Sequence, residues 1–231
     1  MGSSRPRWIL ALLIVATTGH AAKPRVLGAV HAGLFRARQG AKRLMGVALI
    51  ATVGQTATIP ALRAVNRSLE PQASTVVLSA GHAPLVPDVV SNAFVDYFMY
   101  TPVVLRQTLR GHRVDWVRGA TARDLLRSVS EPRYQNVVLV GHGSQASFSA
   151  ADRDVSVVDV FPVAWRADPK PGELIQQTCG APGALSLGDV LLRDPAKAIH
   201  PGREVSLLEN YLGAWKLTVS DHTVAESPAA R

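Results

Sequence analysis

The sequence predicts a doubly wound α/β domain on a mostly parallel sheet of about five to six strands with flanking helices, after an N-terminal hydrophobic, basic leader. Three observations carry this. Residues 74–141 alternate apolar β-type runs with helical stretches, as successive βαβ units do. Val137-Val138-Leu139-Val140 is apolar at every position, the mark of a central strand buried on both faces. Two strands end on chemistry-bearing residues beside glycine: Val137–Val140 runs into Gly141-His142-Gly143-Ser144, and Glu173–Thr178 runs into Cys179-Gly180. In open parallel sheets that C-terminal edge is where ligands sit.

The charge belongs to the leader. The net charge is +8, yet residues 1–69 hold ten of the 25 Lys/Arg and no Asp or Glu. Fifteen basic and 17 acidic residues remain, so residues 70–231 carry a net charge of −2. A nucleic-acid partner is therefore not expected, because it would require a basic face on the domain. The single cysteine excludes an intrachain disulfide and a cysteine-based zinc knuckle.

Residues 1–73 read as signal or membrane anchor, basic leader and linker. Arg5 and Arg7 precede an uncharged run from Trp8 to Gly19, which resembles a secretory signal peptide. Residues 23–43 are rich in Arg and Lys. Leu44–Leu62 then gives 19 residues without a formal charge, a marginal transmembrane candidate weakened by Gln55, three threonines and Pro60. A signal peptide with basic linker, a helical hairpin, a single anchor at 44–62 and an organellar presequence all fit this pattern. The expectation is a membrane-tethered domain on the extracytoplasmic side, with residues 63–73 as linker.

The domain is expected at 74–220, followed by a polar tail at 221–231. Thr75–Ala80 reads as the first strand and residues 91–110 as a helix that Pro102 would kink or split. Arg113–Val117 is the second strand. Thr121 caps a short helix containing Asp124, Leu125, Leu126 and Val129, and Pro132 leads into the strand at 137–141. After Ser144, apolar positions around Ala151–Asp154 indicate a hairpin or irregular excursion. Pro162, Pro169, Pro171 and Gly172 mark loop before the strand that ends at Cys179. A short helix at Ser186–Leu192, a strand near Ala196–Ile199, a helical stretch at Val205–Leu212 and a last strand at Ala214–Val219 complete the domain.

A thiolate is a strong nucleophile, but a free cysteine has a pKa of about 8.5. A neighbouring imidazole can take the proton. His142 and Cys179 at matching strand ends provide that pair. Gly141, Gly143 and Gly180 keep the surroundings small, and the amides of Gly143 and Cys179 are the candidate oxyanion hole. The plainer alternative makes His142 a strand-terminal residue and Cys179 a buried small apolar one.

The two blocks resemble the caspase-like (clan CD) cysteine peptidases, closest to the gingipain-type branch. There, an apolar strand ending in His-Gly is followed by a β-hairpin, a helix and an apolar strand ending in Cys. The likeness extends to Ser186-Leu187-Gly188-Asp189 and to Asn210-Tyr211-Leu212-Gly213, which in that branch leads into a strand. The chain departs from it at Ala214-Trp215, where the branch commonly has Asp-Pro, and in lacking a clear long helix between the blocks. The resemblance implies a caspase-hemoglobinase-like sheet, Cys179 as nucleophile forming a thioester, His142 as general base, and a peptide or protein substrate. An acidic specificity pocket would favour Arg or Lys, with Asp152, Asp154, Asp159 and Asp189 as the candidate carboxylates.

Three alternatives stand beside it. An α/β-hydrolase-like serine esterase would use Ser144, with Asp189 and His200 as partners, but its elbow needs Gly-x-Ser-x-Gly and Ser144 falls one place late. A chelatase-type metal site would open on Gly-His-Gly-Ser, though in that family the motif opens the first strand of the domain and here it falls on about the third. A catalytically silent membrane-tethered binding module is the third. No Gly-x-Gly-x-x-Gly stands at a strand–helix junction and no metal constellation emerges, so no cofactor is expected.

Overall fold

The computed structural model describes residues 53–71, 74–81, 86–178, 185–201 and 203–225. Its central sheet has five strands: β1 (Ser74–Ala80), β2 (Arg113–Arg118), β3 (Tyr134–Gly141), β7 (Leu174–Gln177) and β8 (Ala198–Ile199). They lie in the order β2-β1-β3-β7-β8, and every pairing is parallel. Directly after β3, three short strands form a separate antiparallel sheet: β4 (Gly143–Ser144), β5 (Ser147–Ser149) and β6 (Asp154–Ser156). The helices are α1 (53–68), α2 (Asp88–Leu109), α3 (Ala122–Ser130), α4 (Val157–Ala164), α5 (Leu187–Leu191) and α6 (Leu207–Ala225), with a 3₁₀ turn at Pro195–Lys197.

Alternation along the strands builds two cores, one on each face of the sheet. Val76, Leu78, Val137, Leu139 and Leu174 pack with Leu125 and Val129 of α3, Val160 of α4 and Leu187 of α5. Val77, Val138, Val140 and Ile175 face the other way, onto Met99 and Val103 of α2 and Ala214 of α6. Helices on both faces explain why Val76–Leu78 of β1 and Val137–Val140 of β3 are apolar at every position. Phe148 of β5 is fully buried in the first core, so the excursion after β3 is anchored rather than loose.

Local capping sets the start of α3. The Thr121 hydroxyl accepts the Asp124 N–H at 3.3 Å, and the Asp124 carboxylate accepts the Thr121 N–H at 2.9 Å. The Thr121 hydroxyl also donates to Asp124 Oδ2 at 2.7 Å, and that bond first, then the Thr121 N–H, holds Asp124 below the usual carboxylate range. Thr121→Ala is expected to cost about 1 kcal/mol in urea denaturation.

Three expectations are corrected. First, the transmembrane reading of Leu44–Leu62 finds no support: residues 44–52 lie outside the described residues, and residues 53–62 belong to α1, which runs on through Arg63 and Arg67. Among the described residues no helix is long and apolar enough to cross a membrane, so the transmembrane assignment is withdrawn. The signal-peptide segment also lies outside the described residues. Second, residues 63–68 are not linker. Buried Asn66 donates to the His112 carbonyl and to Thr108 Oγ1, and accepts the Val114 N–H, each at 2.9 Å. One amide thus ties α1 to the α2–β2 turn. Third, Ala214–Val219 is helix, not strand. Ala214 and Thr218 are buried four residues apart, the spacing of one helix face, and Thr218 Oγ1 donates to the Ala214 carbonyl at 2.9 Å and the Pro102 carbonyl at 3.1 Å. Pro102 itself does not split α2, which continues through it for 22 residues.

Candidate active site

The chain runs from β1 outward to β2, then returns to the other side of β1 for β3. This reversal opens a crevice at the C-terminal ends of β1 and β3, where ligands enter open α/β sheets. A cleft of about 400 Å³ lies there. Ala80 and Gly81 form its β1 side and His142 its β3 side; Asp88 and Asn92 come from the first turns of α2, and residues 149–154 from the β5–β6 turn.

Backbone geometry explains Gly-His-Gly. Gly141 has φ +146°, and a Cβ there would lie 1.9 Å from the Ala80 carbonyl oxygen. Gly143 has φ +145°, and a Cβ would lie 2.4 Å from the Ser147 carbonyl oxygen. Both absent side chains face the protein's own backbone, not the space a substrate would need. The glycines let the chain turn on either side of His142 from the parallel sheet into the hairpin. The Ser149 N–H donates to the His142 carbonyl at 3.0 Å. This ladder bond flanks the Gly143–Phe148 pair, which is therefore of the non-hydrogen-bonded kind, and the Gly143 N–H is directed away from β5.

The hairpin is clamped to the next strand. Gln176 Nε2 of β7 donates to the Ser144 carbonyl at 2.8 Å, and the Leu187 N–H of α5 donates to the Gln145 carbonyl at 2.8 Å. Gln145 Nε2 lies 2.8 Å from His200 Nδ1 at the end of β8, so that ring nitrogen acts as acceptor.

Parallel pairing of β3 with β7 aligns Val140 with Gln177. His142 follows Val140 by two residues, and Cys179 follows Gln177 by two residues in the sequence. Cys179 and Gly180 lie outside the described residues, as does His82. No family model matches this chain, and no curated protein matches it in sequence.

The other nominated residues separate into two groups. Asp152 and Asp154 line the cleft beside His142. Asp152 Oδ1 accepts the Ala122 N–H at 2.7 Å, fastening the β5–β6 turn to the start of α3. Asp159 and Asp189 are helix caps instead. Asp159 accepts the Ser156 N–H at 2.9 Å and Asp189 the Ser186 N–H at 2.7 Å. Those backbone bonds, with the serine hydroxyls, hold both carboxyls below their usual range. Nor do Ser144, Asp189 and His200 form a bonded triad: the Ser144 hydroxyl pairs with Ser147 at 2.9 Å, Asp189 with Ser186 and His200 with Gln145.

Asp88 and Asn92 were not legible as site residues. The sequence placed the start of the helix at 91, whereas α2 begins at Asp88, immediately after Pro87. The Pro87-Asp88 step was the available signal, since an acid in the first turn favours a helix N-terminus. Asn92 Oδ1 accepts the Gly81 N–H and so holds the end of β1 to α2.

Proposed function

We propose that this chain is a cysteine-peptidase-like hydrolase with a caspase-hemoglobinase-like sheet, Cys179 as nucleophile and His142 as general base. The observation that supports it most is the β3–β7 register: His142 and Cys179 each follow the Val140–Gln177 pair by two residues, on neighbouring parallel strands. The antiparallel excursion after β3 is compatible with the hairpin of the resembled family, while α4, of eight residues, leaves the departure from its longer helix in place. The His142 cleft beside the switch in strand order supplies room for a substrate.

In this scheme His142 accepts the Cys179 proton, and the sulfur attacks the scissile carbonyl carbon. The Gly143 and Cys179 amides stabilise the oxyanion. The imidazolium returns the proton to the leaving amine as the C–N bond breaks, leaving a thioester on Cys179. Water, deprotonated by His142, then hydrolyses the thioester and regenerates the thiol.

Iodoacetamide at neutral pH tests the pairing, with mass spectrometry following the one cysteine. Fast alkylation in the wild type and at least a tenfold slower rate in His142→Ala are expected. Equal rates in the two proteins, or an unreactive thiol in the folded wild type, would refute the dyad. The latter result would favour a catalytically silent module. A fluorophosphonate probe covers the esterase alternative, and its attachment to Ser144 would replace the present proposal.

A further inference from the structure

The two edges of the central sheet differ. β8 is two residues long, whereas β2 runs for six and pairs only with β1. Every position of β1 is buried and no position of β2 is, as befits a strand with one side open.

Hydrogen bonds at the start of β2 show which backbone groups face that open side. Asn66 Oδ1 accepts the Val114 N–H and Asn66 Nδ2 donates to the His112 carbonyl, each at 2.9 Å. These groups therefore point away from β1. Peptide groups alternate in direction along a strand, so the N–H and C=O of Trp116 and Arg118 point away from β1 too. Among the described residues, nothing on that side accepts from them or donates to them. Unpaired groups along an edge are a template for another strand. The devices that usually blunt an edge are missing, since β2 has no proline, no lysine and no register shift against β1.

Both ends of the open stretch are stopped. The Asn66 amide fills the pairing position beside Val114. Gly119, at φ +57°, turns the chain inward, and the Ala120 N–H donates to the Ser79 carbonyl at 2.9 Å. Trp116, Val117 and Arg118 are left to pair.

We infer that this edge joins a second copy of the chain, β2 against β2 in antiparallel sense, about a two-fold axis at Val117. Trp116 then exchanges both backbone hydrogen bonds with Arg118 of the second copy, and Arg118 does so with its Trp116. Val117 meets Val117 on one face and Trp116 lies beside Arg118 on the other, so no like charges stand directly opposite. A guanidinium beside an indole is a favourable neighbour. Both side chains are already held there by Asp96, which accepts from Trp116 Nε1 at 3.0 Å and lies 2.9 Å from Arg118 Nε. A longer foreign strand would run into the Asn66 amide, whereas a copy ends at its own Gly119 turn and fits the gap. With β8 only two residues long, the contact closes as a dimer instead of growing into a filament. Two five-stranded sheets become one. The inference does not depend on the peptidase proposal.

Sedimentation of the full chain over a concentration series is the test. So small a contact lies at the weak end of specific interfaces, and a dimer with a Kd of about 1–100 µM is expected. Proline at position 118 removes only an outward N–H, which edge strands tolerate. Arg118→Pro should therefore associate about tenfold more weakly than Arg118→Gln, which keeps the N–H and loses the same Asp96 contact. Amide hydrogen exchange reads the same pairing without a variant. Exchange at Trp116 and Arg118 should slow as the wild type dimerises, while Val114 stays slow throughout because Asn66 holds it. A wild type that remains monomeric well above that concentration range, equal association of the two variants, or Trp116 and Arg118 exchange that ignores concentration would overturn the pairing.

Discussion

Gly141→Ala is expected to lower unfolding stability by about 3–5 kcal/mol and to abolish rapid alkylation of Cys179. The new Cβ would meet the Ala80 carbonyl oxygen at 1.9 Å, a backbone atom in the adjoining central strand that no side-chain rotation can move aside. The residue would also have to hold φ +146°, which L side chains rarely adopt. Strain of this kind costs about 1–3 kcal/mol, and forcing two packed strands apart costs a similar amount again. The same displacement moves His142, the next residue, so site and stability fail together. Gly213→Ala is the contrasting case. Gly213 lies inside α6 with nothing within 4 Å of an added Cβ, and the substitution should raise stability by about 0.5–1 kcal/mol. Urea denaturation of both variants measures the difference. A Gly141→Ala midpoint equal to wild type would mean that β3 does not leave the sheet beside Ala80.

Glu173→Gln is expected to cost about 3–5 kcal/mol at neutral pH, the usual result of breaking a buried ion pair. Arg106 is only 4% exposed and makes a two-pronged contact with Glu173; the substitution removes the carboxylate charge from that buried contact. The pH dependence follows from the same contacts. Burial alone would raise the Glu173 pKa, but bonds and charge from Arg106, Gln107 and Arg110 outweigh it, and the carboxyl lies below its ordinary value of 4.5. A depressed carboxyl pKa stabilises the fold fully above the unfolded value and ceases to do so as pH falls through the folded one. The wild type should therefore lose this contribution below about pH 4.5, and Glu173→Gln should lack that part of the acid transition. The gap between the two proteins closes as the pH is lowered. A gap that stays constant from pH 7 to pH 3 would show that Glu173 carries no charge in the folded protein.

What could be read in advance follows the range of the interactions. The strands at 75–80, 113–117 and 137–141 and the cap at Thr121 were legible because strand burial and capping depend on residues close in sequence. The last helix was misread for the opposite reason. Ala214-Trp215-Lys216-Leu217-Thr218-Val219 suits a strand by propensity, and packing of Ala214 and Thr218 against α2 overrides it. Asn66 was read as linker because its partners, Thr108, His112 and Val114, are more than 40 residues away. At the site, His142 was legible from its place after an apolar run. Asp88 and Asn92 were not, because only folding of α2 against the end of β1 brings them to the cleft.

By itself, the sequence determined that a central strand would deliver His142 to the working edge of a parallel sheet, since an unbroken apolar run ending in glycine has few other uses. Tertiary structure alone decided the neighbours. Strand order put β7 beside β3, opened the cleft between β1 and β3, and drew Arg106, Arg110 and Lys197 together at the far edge. It also showed why both glycines flank His142: their missing side chains make room for the carbonyls of Ala80 and Ser147. Residues distant in sequence set those contacts, and they become visible only when the strands are laid side by side.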